Sequence, residues 1–371
     1  MERRLDICIN GRFLAGPPAA TYAVAEHLAR ALALLTAAGE PAANRRIHVL
    51  APRNARHADL GLPVERVGRR IGNVWEQIDL PRAASGRLLV NLASRSPLLL
   101  RQGLTMVHDA QVFTTPASYS LAFRATLKAN VRLAGRRQLG LLTVSEFAKS
   151  ELVGLGLAPA ERVHVIANGV DHVLRTPAEP DILPRLGLVP RGYALALANL
   201  MPHKNIALLI RAFARPALAD MTLVLVGGTG RDAFAAAGIT AGANVLFPGY
   251  VSDGQMRALQ AQALAVCTPS LTEGFGMPPV EGLKLGTPAV IAPCGALPEV
   301  CGPGALQADP HDPAAWEAAL LRLRDDDGLH ARLARDGQAF VARFTWQAAA
   351  RRLLDVIDAV APLDESGRRA P

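Results

Sequence analysis

Several kinds of residue are scarce in this 371-residue chain, and each scarcity argues against a class of protein. Aromatic residues make up only 5%, too few for the rows of stacking side chains that bind single-stranded nucleic acids. The four cysteines form no C-x-x-C pair, which argues against a zinc site or a disulfide framework and favours a reducing compartment. No apolar run reaches the ~18 residues that a membrane span requires. We therefore expect a globular protein of the cytoplasm.

Acidic residues are missing from one long segment, because residues 110–145 contain neither Asp nor Glu. Residues 1–183 hold 23 Lys and Arg against 15 Asp and Glu, a net charge of +8, whereas residues 184–371 hold 17 of each. Such an asymmetry predicts an anionic partner for the first half of the chain: a nucleic acid, a membrane surface or a phosphorylated acceptor. Charge that serves only solubility explains it equally well.

Short aliphatic runs alternate with longer amphipathic ones, which predicts parallel sheets covered by helices. A proline-rich segment without periodicity, over 176–192, interrupts the alternation, and the pattern then restarts. We therefore predict two Rossmann-like, doubly wound domains that face a cleft, over 1–183 and 184–346, and a helix and tail over 347–371 that could pack back on the first domain. The expected strands are LDICIN, IHVLA, RLLVN, TMVH, LLTV and RVHVI, then YALALAN, TLVLVG, NVLFPG, LAVCT and PAVI, and the clearest helices are TYAVAEHLARALALL, SLAFRATLKANVRLAGRR and WQAAARRLLDVIDAV.

The segment PSLTEGFGMPPVEG carries two carboxylates around a bare loop. Glu273 follows a predicted strand, and the two glycines after it let a ligand approach the backbone because they lack Cβ atoms. The two prolines suit the first turn of a helix, where free N–H groups attract an anion. We expect Glu281 in that first turn, where it either accepts hydrogen bonds from paired sugar hydroxyls or only complements the helix dipole.

Three more strand-to-helix loops carry residues of interest, and ligands bind at the carboxyl ends of strands in open parallel sheets. Lys204 follows YALALAN, where a lysine can neutralise a phosphate. Gly227 and Gly228 follow TLVLV without a G-x-G-x-x-G or P-loop pattern, so they predict a tight turn or a close approach to a ligand. His108 and Asp109 follow TMV, where the histidine either hydrogen-bonds a sugar hydroxyl or is a core side chain.

These segments, in this order, resemble one family. VHD, VIANGVD, PHKN, LVLVGG, FPGYVSD and PSLTEGFGMPPVEG are similar to segments of the retaining glycosyltransferases of family 4, which have the GT-B fold. The resemblance covers nearly the whole chain, and the E-G-F-G element is its most specific part. It implies a hexosyltransferase of bacterial polysaccharide synthesis that takes a nucleotide sugar as its substrate and needs no metal ion or other cofactor.

The resemblance also implies a role for each matching residue. Glu273 would contact hydroxyls of the donor sugar, Lys204 would face the diphosphate, and His108 would lie beside the reacting sugar. Glu281 would bind the ribose diol of the donor. The other expected donor-binding residues are Gly274, Phe275, Gly276, Asn199, His203, Gly228 and Val251, the last within the loop Gly249–Ser252 that would line the base. The first domain would hold the acceptor, with Asp109 as a candidate contact.

The chain departs from the family pattern in two places. An arginine usually stands near the lysine, whereas Asn199 and His203 occupy that neighbourhood here, so diphosphate binding is expected to rest on Lys204 and on backbone N–H groups. The first loop of the family usually carries a glycine pair near the acceptor, whereas residues Gly16–Ala20 read GPPAA. Whether this loop binds the acceptor stays open.

The expected reaction transfers a hexose from a nucleotide-diphosphate sugar to a glycan or to a polyprenyl-diphosphate-linked acceptor. GDP-mannose is the first choice of donor, because WEQIDLP and VHD resemble segments of mannosyltransferases, and a UDP-sugar is the alternative. Three other functions stay open: a GT-B nucleotide-sugar epimerase, a GT-B phosphorylase, and a protein that binds anionic polymers. A nicotinamide oxidoreductase is not expected, because no G-x-G-x-x-G follows the first strand.

One aspartate cluster matches a metal-binding pattern. Asp325, Asp326 and Asp327 fit an Asp-x-Asp signature, but they fall between two predicted helices and not on a strand-to-helix loop. A solvated turn is therefore the favoured interpretation, and no metal site is expected.

Four basic residues recur at every fourth position of one predicted helix, which places them on a slowly drifting stripe. They are Arg124, Lys128, Arg132 and Arg136, and the residues expected on the apolar side are Leu121, Leu127, Val131 and Ala134. A basic amphipathic helix predicts peripheral contact with an anionic membrane, here the inner face of the cytoplasmic membrane. A solvated face of a packed helix is the alternative.

Overall fold

The computed structural model of the protein describes residues 5–16, 19–39 and 45–361. The chain divides into two compact units, the first formed by Met1–Gly169 with Thr345–Pro371 and the second by Val170–Phe344. Each unit is built on one parallel sheet, which confirms the prediction of two doubly wound, Rossmann-like folds. No helix among the described residues combines the length and the apolar character that crossing a membrane requires.

The first unit contains a seven-stranded sheet in the order β3-β2-β1-β4-β5-β6-β7. Its strands are β1 (Leu5–Asn10), β2 (Arg45–Ala51), β3 (Val64–Arg66), β4 (Leu88–Asn91), β5 (Gly103–Met106), β6 (Gly140–Thr143) and β7 (Val163–Val165). The central strands β4, β5 and β6 are buried at every residue, as expected of a parallel sheet covered on both faces. This burial explains why their sequences are short continuous aliphatic runs.

Helices of the first unit follow these strands. They are α1 (Ala20–Ala37), α2 (Gly72–Val74), a π-helical turn (Trp75–Asp79), α3 (Leu80–Ala83), α4 (Gln111–Thr114), α5 (Leu121–Arg137) and α6 (Glu146–Gly154). Ser120 and Ser145 cap α5 and α6 by accepting a hydrogen bond from the backbone N–H three residues on. Helix α5 packs through Val131 and Ala134, whereas Leu121, which was expected on the same apolar side, is 77% exposed. Leu121 is the first residue of the helix and extends past the packed surface.

The second unit contains a six-stranded sheet in the order β10-β9-β8-β11-β12-β13. Its strands are β8 (Tyr193–Leu197), β9 (Thr222–Val226), β10 (Val245–Gly249), β11 (Ala265–Thr268), β12 (Ala289–Ile291) and β13 (Ala305–Gln307). Its helices are α7 (His172–Arg175), α8 (Ile182–Arg185), α9 (Ile206–Phe213), α10 (Arg231–Ala236), α11 (Asp253–Gln262), α12 (Met277–Lys284), α13 (Leu297–Cys301), α14 (Pro313–Asp325) and α15 (Asp327–Val341).

The last described helix returns to the first unit. Helix α16 (Trp346–Val360) packs against α1, and the rings of His27 and Trp346 stack with centroids 5.0 Å apart. Gly169 makes this approach possible, because a Cβ atom there would lie 2.2 Å from the backbone nitrogen of Trp346. The tail over 362–371 lies outside the described residues.

The division between the units differs from the predicted boundary at 183/184. Residues 170–183 pack in the second unit: Val170 N–H donates to Phe344 O, and Glu179 N–H donates to Gly254 O. Ile182 joins the apolar cluster that contains Tyr193. The proline-rich segment is therefore not a free linker, because Ile182, Leu183 and Leu188 are buried in the second unit.

Two strands were missing from the prediction, and both are short edge strands. β3 is exposed at all three residues, and β13 is at most half-buried. An edge strand without a buried face carries neither an alternating nor a continuous apolar pattern, so the sequence offers no signal for it.

Candidate functional site

Two loops of the second unit meet through an ion pair at the carboxyl edge of its sheet. Lys204 follows β8 and ends a 3₁₀ turn over Pro202–Lys204, and Glu273 follows β11. The Nζ atom of Lys204 lies 2.7 Å from Oε1 of Glu273, and the Ser270 hydroxyl donates to the same oxygen at 2.7 Å. The glutamate side chain is 13% exposed and the lysine side chain 27%. The structure thus brings two predicted catalytic residues into direct contact.

Backbone contacts hold these two loops together. Leu271 N–H donates to His203 O at 2.7 Å, and the Asn205 side chain donates to Pro269 O at 3.2 Å. Asn205 has a φ of 54°, a left-handed conformation that asparagine tolerates better than most residues. The loop of Glu273 is therefore tied to the loop of Lys204 independently of their ion pair.

A glycine supports Glu273 from the other side. Ala296 N–H donates to Glu273 O at 3.0 Å. A Cβ atom on Gly295 would lie 2.5 Å from Glu273 N and 2.7 Å from Glu273 O, and Gly295 has a φ of +63°. Only glycine meets both demands, so Gly295 positions the carboxylate through the backbone.

The histidine beside the lysine is part of the folded framework. His203 is buried, and burial lowers the pKa of its ring, with the charge of Lys204 acting in the same direction. A neutral imidazole cannot take over the charge of the arginine that usually stands in this neighbourhood. The cation of this loop is therefore Lys204.

The bare loop ends at the start of α12. Gly276 has a φ of +91° and precedes the first helical residue, Met277, so the turn requires glycine. Two prolines occupy the first turn, as predicted. The helix begins at Met277, so Glu281 lies one residue beyond the first turn. Its expected placement in the first turn was therefore wrong. The partners of the Glu281 carboxylate are side chains of other elements.

Two polar side chains hold Glu281. Gln260, buried on α11, donates from Nε2 to Glu281 Oε2 at 2.8 Å, and Thr287 donates to the backbone oxygen of Gln260 at 2.7 Å. On the other side, His172 Nε2 lies 3.4 Å from Glu281 Oε1. The carboxylate is thus fixed by a helix from one direction and by the segment after residue 169 from another.

Gly228 and the loop Gly249–Ser252 contain further predicted donor-binding residues. Gly228 and Tyr250 are in contact, since a Cβ atom on Gly228 would lie 2.6 Å from the tyrosine hydroxyl, and Tyr250 is 88% exposed. Val251 packs against a core cluster of the unit. Ser252 caps α11 and also donates to Glu179, so its hydroxyl serves the fold.

Two further donor candidates have structural contacts of their own. Asn199 Oδ1 accepts a hydrogen bond from Met201 N–H at 2.8 Å, which closes the turn after β8. Phe275 is buried, and its ring meets that of Phe344 edge-on at 5.5 Å. Only the backbone of Phe275 and its neighbour Gly274 is therefore suited to contact a ligand.

In the first unit, His108 and Asp109 follow β5. His108 is buried, its Nε2 donates to Leu92 O at 2.9 Å, and burial lowers the pKa of the ring. Asp109 Oδ1 accepts from Gln111 N–H at 3.0 Å, and the residue lines a cavity of this unit. Part of the loop over Gly16–Ala20, at residues 17 and 18, lies outside the described residues.

The basic stripe of α5 drifts from a half-buried to an exposed surface. The cations of Lys128 and Arg132 lie 5.2 and 5.3 Å from the centroid of the Phe113 ring, so both stack on the same aromatic side chain. Arg124 is half-buried, whereas Arg132 and Arg136 are exposed. The stripe exists as predicted, but only its second half faces outward.

The three aspartates near residue 326 stand at the junction of two helices: Asp325 ends α14, Asp326 lies between the helices and Asp327 begins α15. Asp326 caps α15 by accepting from Leu329 N–H at 2.8 Å, Asp325 accepts from Arg324, and Asp327 pairs with Arg191. The described part of the chain contains no cluster of three or more His, Cys, Asp or Glu side chains placed to hold a metal ion.

Sequence reasoning missed several residues of the site. Ser270 lies within the segment PSLTEGFGMPPVEG, and His172 directly follows VIANGVD, so both residues could have been identified from these motifs. Gln260 is a polar residue on the apolar side of α11, which is a usable signal for a buried hydrogen bond. Gly295 and Asn205 act through backbone conformation and give no comparable signal.

Comparison with known proteins shows which family the chain resembles. The model of the family described as glycosyl transferases group 1 matches residues 187–340. O-antigen chain mannosyltransferase B of Escherichia coli is 31% identical over 261 residues, which are 68% of either chain. D-inositol 3-phosphate glycosyltransferase of Salinispora tropica is 34% identical over 290 residues, 69% of this chain and 59% of that protein.

Similarity in structure extends over nearly the whole chain. HepE of Anabaena, solved in complex with UDP and glucose, aligns with a TM-score of 0.71 over 96% of this chain and 100% of that one, at 20% identity. At this identity the match establishes the two-domain GT-B fold and nothing finer. Together with the sequence matches, it leads to one conclusion: the chain belongs to the glycosyl transferases group 1 family and is a glycosyltransferase.

Proposed function

We propose that the protein is a retaining glycosyltransferase that moves a hexose from a nucleotide-diphosphate sugar to a glycan or a polyprenyl-diphosphate-linked acceptor in bacterial polysaccharide synthesis. The observation that carries the proposal is the 2.7 Å pair of Lys204 and Glu273 beside the start of α12. The pair holds a cation where a diphosphate would bind and a carboxylate where sugar hydroxyls would bind. On ligand binding Lys204 would pair with the diphosphate, while sugar hydroxyls and Ser270 would donate to Glu273, so neither group would be left without a polar partner.

The proposed chemistry needs few moving groups. The bond between the anomeric carbon and the diphosphate oxygen breaks, and the acceptor oxygen bonds to that carbon from the same face. The acceptor hydroxyl loses its proton to the departing diphosphate. Pro278 and Pro279 in the first turn of α12 carry no N–H, so Lys204, the backbone N–H groups of residues 274–277 and the dipole of α12 are proposed to stabilise the charge that develops on the diphosphate. Their contribution lowers the barrier because this charge develops in the transition state. Glu273 orients the sugar ring.

The donor is proposed from two sources. Three of the similar proteins are named mannosyltransferases, which supports a mannosyl donor such as GDP-mannose. HepE was solved with UDP and glucose, which supports a UDP-sugar as the alternative. Glu281 would bind the ribose diol in either case, since both nucleotides carry the same ribose.

The acceptor is proposed to bind in the first unit, whose excess positive charge suits an anionic partner. The exposed basic half of α5 would then hold the protein reversibly against an anionic leaflet, with the enzyme working at the inner face of the cytoplasmic membrane. Relatives named O-antigen chain mannosyltransferases support an acceptor of the polysaccharide type.

A screen of nucleotide sugars tests the proposal. GDP-, UDP- and ADP-sugars are added in a thermal-shift assay, where a donor at 100 times its Kd stabilises by ~2.7 kcal/mol. The donor that stabilises is then incubated with the enzyme, with and without glycan acceptors, and the anomeric configuration of the product is read by NMR. An inverted product contradicts the retaining mechanism, and an epimerised sugar without transfer establishes the epimerase instead.

Two controls extend the screen. Sugar 1-phosphate formed from glycan and phosphate would identify a phosphorylase. Turnover in EDTA is expected to equal turnover without it, because Lys204 and backbone N–H groups are proposed to carry the charge of the diphosphate. If Mg²⁺ or Mn²⁺ restores an activity that EDTA has removed, that part of the proposal is wrong.

A further inference from the structure

The first unit contains a cavity of about 460 Å³ at the carboxyl ends of β1, β4 and β5. Its volume lies in the range of small-molecule sites, with space for more than one sugar ring. Of the residues that the sequence analysis considered for the acceptor, Asp109 and Ala19 of the loop Gly16–Ala20 line it, and the basic residues of α5 do not. The chemistry of the cavity is therefore set by side chains that the motifs did not indicate.

One of its two arginines is neutralised within the protein. Arg12 Nη1 lies 2.8 Å from Glu76 Oε2, and Glu76 is almost fully buried. Asn10 donates to the other oxygen of this carboxylate at 3.0 Å. A buried carboxylate with these two partners is satisfied, and its charge cancels that of Arg12. Arg12 therefore leaves little net charge for a ligand.

The second arginine has no such partner. Arg95, two residues after Ala93 in the loop that follows β4, forms no ion pair with any residue in the described part of the chain. It donates one hydrogen bond to Asn73 Oδ1 at 3.2 Å, and its guanidinium lies 5.3 Å from the centroid of the Phe123 ring. A guanidinium that stacks on a ring keeps its N–H donors in its own plane, where they match a phosphate or carboxylate.

Aromatic and aliphatic side chains form the apolar part of the cavity wall. The rings of Tyr119 and Phe123 stack with centroids 5.6 Å apart at an interplanar angle of 16°, so Arg95, Phe123 and Tyr119 form one connected wall. Val107 and Val131 contribute aliphatic surface. Such a wall packs against the C–H face of a sugar ring, whereas Asp109 is an acceptor for its hydroxyl groups.

We propose that this cavity binds an acceptor in which an anionic group, a phosphate or a carboxylate, is attached to a hydroxyl-rich ring. Arg95 binds the anion, the Tyr119–Phe123 wall packs on the ring, and Asp109 accepts a hydroxyl proton. The first turn of α1 lines the same cavity and contains no acidic residue, so its dipole also favours an anion. The inference rests on the proposed function, since it names the class of the acceptor.

The test is a binding titration with defined probes. Mannose 6-phosphate, glucuronate and a hexose linked to a short prenyl diphosphate carry the anion, and mannose serves as the neutral probe. We expect at least one anionic probe to bind roughly tenfold to a hundredfold more tightly than mannose, the range of a charge-assisted hydrogen bond. Which anionic probe binds best distinguishes a free sugar phosphate, a sugar acid and a lipid-linked sugar.

Variants locate the effect at Arg95. Arg95→Gln is expected to bring the affinity for the anionic probe to within about threefold of the affinity for mannose, whereas Arg95→Lys retains part of the preference. Arg101→Gln is the matched control, because Arg101 is exposed at the opposite edge of the same sheet. The proposal is overturned if no anionic probe exceeds mannose, or if Arg95→Gln keeps the preference. If Arg95→Gln does not fold, Phe123→Leu must reduce the affinity of all ring-containing probes.

The same titrations separate this inference from the proposed function. Nucleotide-sugar binding is measured in every variant, and it depends on residues of the second unit. A wild-type protein that binds a nucleotide sugar and shows no preference for anionic acceptors contradicts only the acceptor class. A protein that binds no nucleotide sugar contradicts the proposed transferase reaction, whatever the cavity binds.

Discussion

The two units of this glycosyltransferase differ in how they hold charge at their ligand sites. The first unit contains 26 Lys and Arg against 16 Asp and Glu, a net charge of +10, and the second contains 14 against 16, a net charge of −2. In the second unit Lys204 is paired with Glu273, and Glu281 is held by Gln260 and His172. In the first unit, Arg95 lines a cavity without an ion pair among the described residues.

The difference shows two ways of preparing a site. Where the charges of a ligand are the same in every turnover, as in a nucleotide diphosphate, the protein can hold the complementary groups against each other before the ligand arrives. The Arg95 guanidinium contacts the Phe123 ring and the Asn73 amide oxygen. Such a group accommodates ligands that carry the same anionic group but differ in shape around it. We expect the second unit to be sensitive to single substitutions and the first to respond through specificity.

The largest effect is expected from the cation of the donor site. Lys204→Gln removes the charge proposed to stabilise the leaving diphosphate and leaves Glu273 without its ion-pair partner, so kcat should fall by about 10²–10³-fold. Steady-state kinetics with saturating donor measure it. Arg185→Gln, an exposed arginine of the same unit, is the control and should keep the wild-type rate. A Lys204→Gln enzyme with normal kcat would remove the lysine from the chemistry.

A smaller loss is expected at the carboxylate proposed to bind the ribose. A hydrogen bond to a charged group is worth ~1.5–3 kcal/mol, so Glu281→Ala should weaken donor binding by tens of fold. Glu273→Ala should lower turnover more than binding, because its proposed partner is the sugar that changes shape in the transition state. Full activity in both variants would refute the site.

Gln260 sharpens this prediction because it is proposed to act only through Glu281. Gln260→Leu should weaken donor binding by roughly tenfold or less and should abolish the preference for a ribose over a 2′-deoxyribose donor. Gln262→Leu, at an exposed position of the same helix, should retain both. If Gln260→Leu lowers stability but preserves the preference for ribose, the residue serves packing alone.

The charge difference between the units predicts where membrane binding originates. Replacing the exposed Arg132 and Arg136 by Gln should reduce binding to anionic vesicles by roughly tenfold or more, since each contributes on the order of 1 kcal/mol. Binding should also fall steeply with salt. Changing Arg185 and Arg211 of the second unit to Gln should have no such effect. Equal co-sedimentation of both double variants with anionic vesicles would show that α5 is only a solvated helix.

The smallest expected effect is a dependence of stability on pH. Burial lowers the pKa of His48, and its Nε2 lies 2.7 Å from the Arg87 guanidinium, which can only donate. Asp6 and Glu65 oppose the shift, and Arg87 and Arg46 add to it. Because the unfolded chain binds a proton near pH 6.5 and the folded ring binds it only at lower pH, stability is lost as the pH falls below ~6.5.

Unit-resolved hydrogen exchange at pH 7.5 and 5.5 measures this loss in the first unit. His48→Gln removes the titrating ring and should reduce the change with pH, by an amount that corresponds to a few degrees in Tm. Burial also lowers the pKa of His203 and His330 in the second unit, so that unit has a pH dependence of its own, and the reference is that His48→Gln should leave it unchanged. An unchanged pH dependence in His48→Gln would place the titration elsewhere.

Much of the fold and part of the donor site could be predicted from local sequence. The central strands are continuous aliphatic runs because both of their faces are buried, and Gly276 and the prolines of α12 mark a turn and a helix start that few other residues allow. Edge strands, the start of α12 relative to Glu281, and the packing of residues 170–183 were misjudged or missed. Each of these depends on which surface of an element is covered in the folded protein, and the spacing of apolar residues along the sequence does not contain that information.

By itself, the sequence determined the parallel α/β class, the restart of the pattern in the second half, and the loops that carry Lys204 and Glu273. Those properties follow from residue types at fixed spacing, which act through backbone conformation and burial of neighbouring residues. Only the tertiary structure decided that Gln260 and His172 hold Glu281, that Glu76 neutralises Arg12, and that Arg95 pairs with no carboxylate in the described part of the chain. These pairings join residues from 21 to 109 positions apart in the chain, and a contact between distant residues exists only after the elements that carry them have packed.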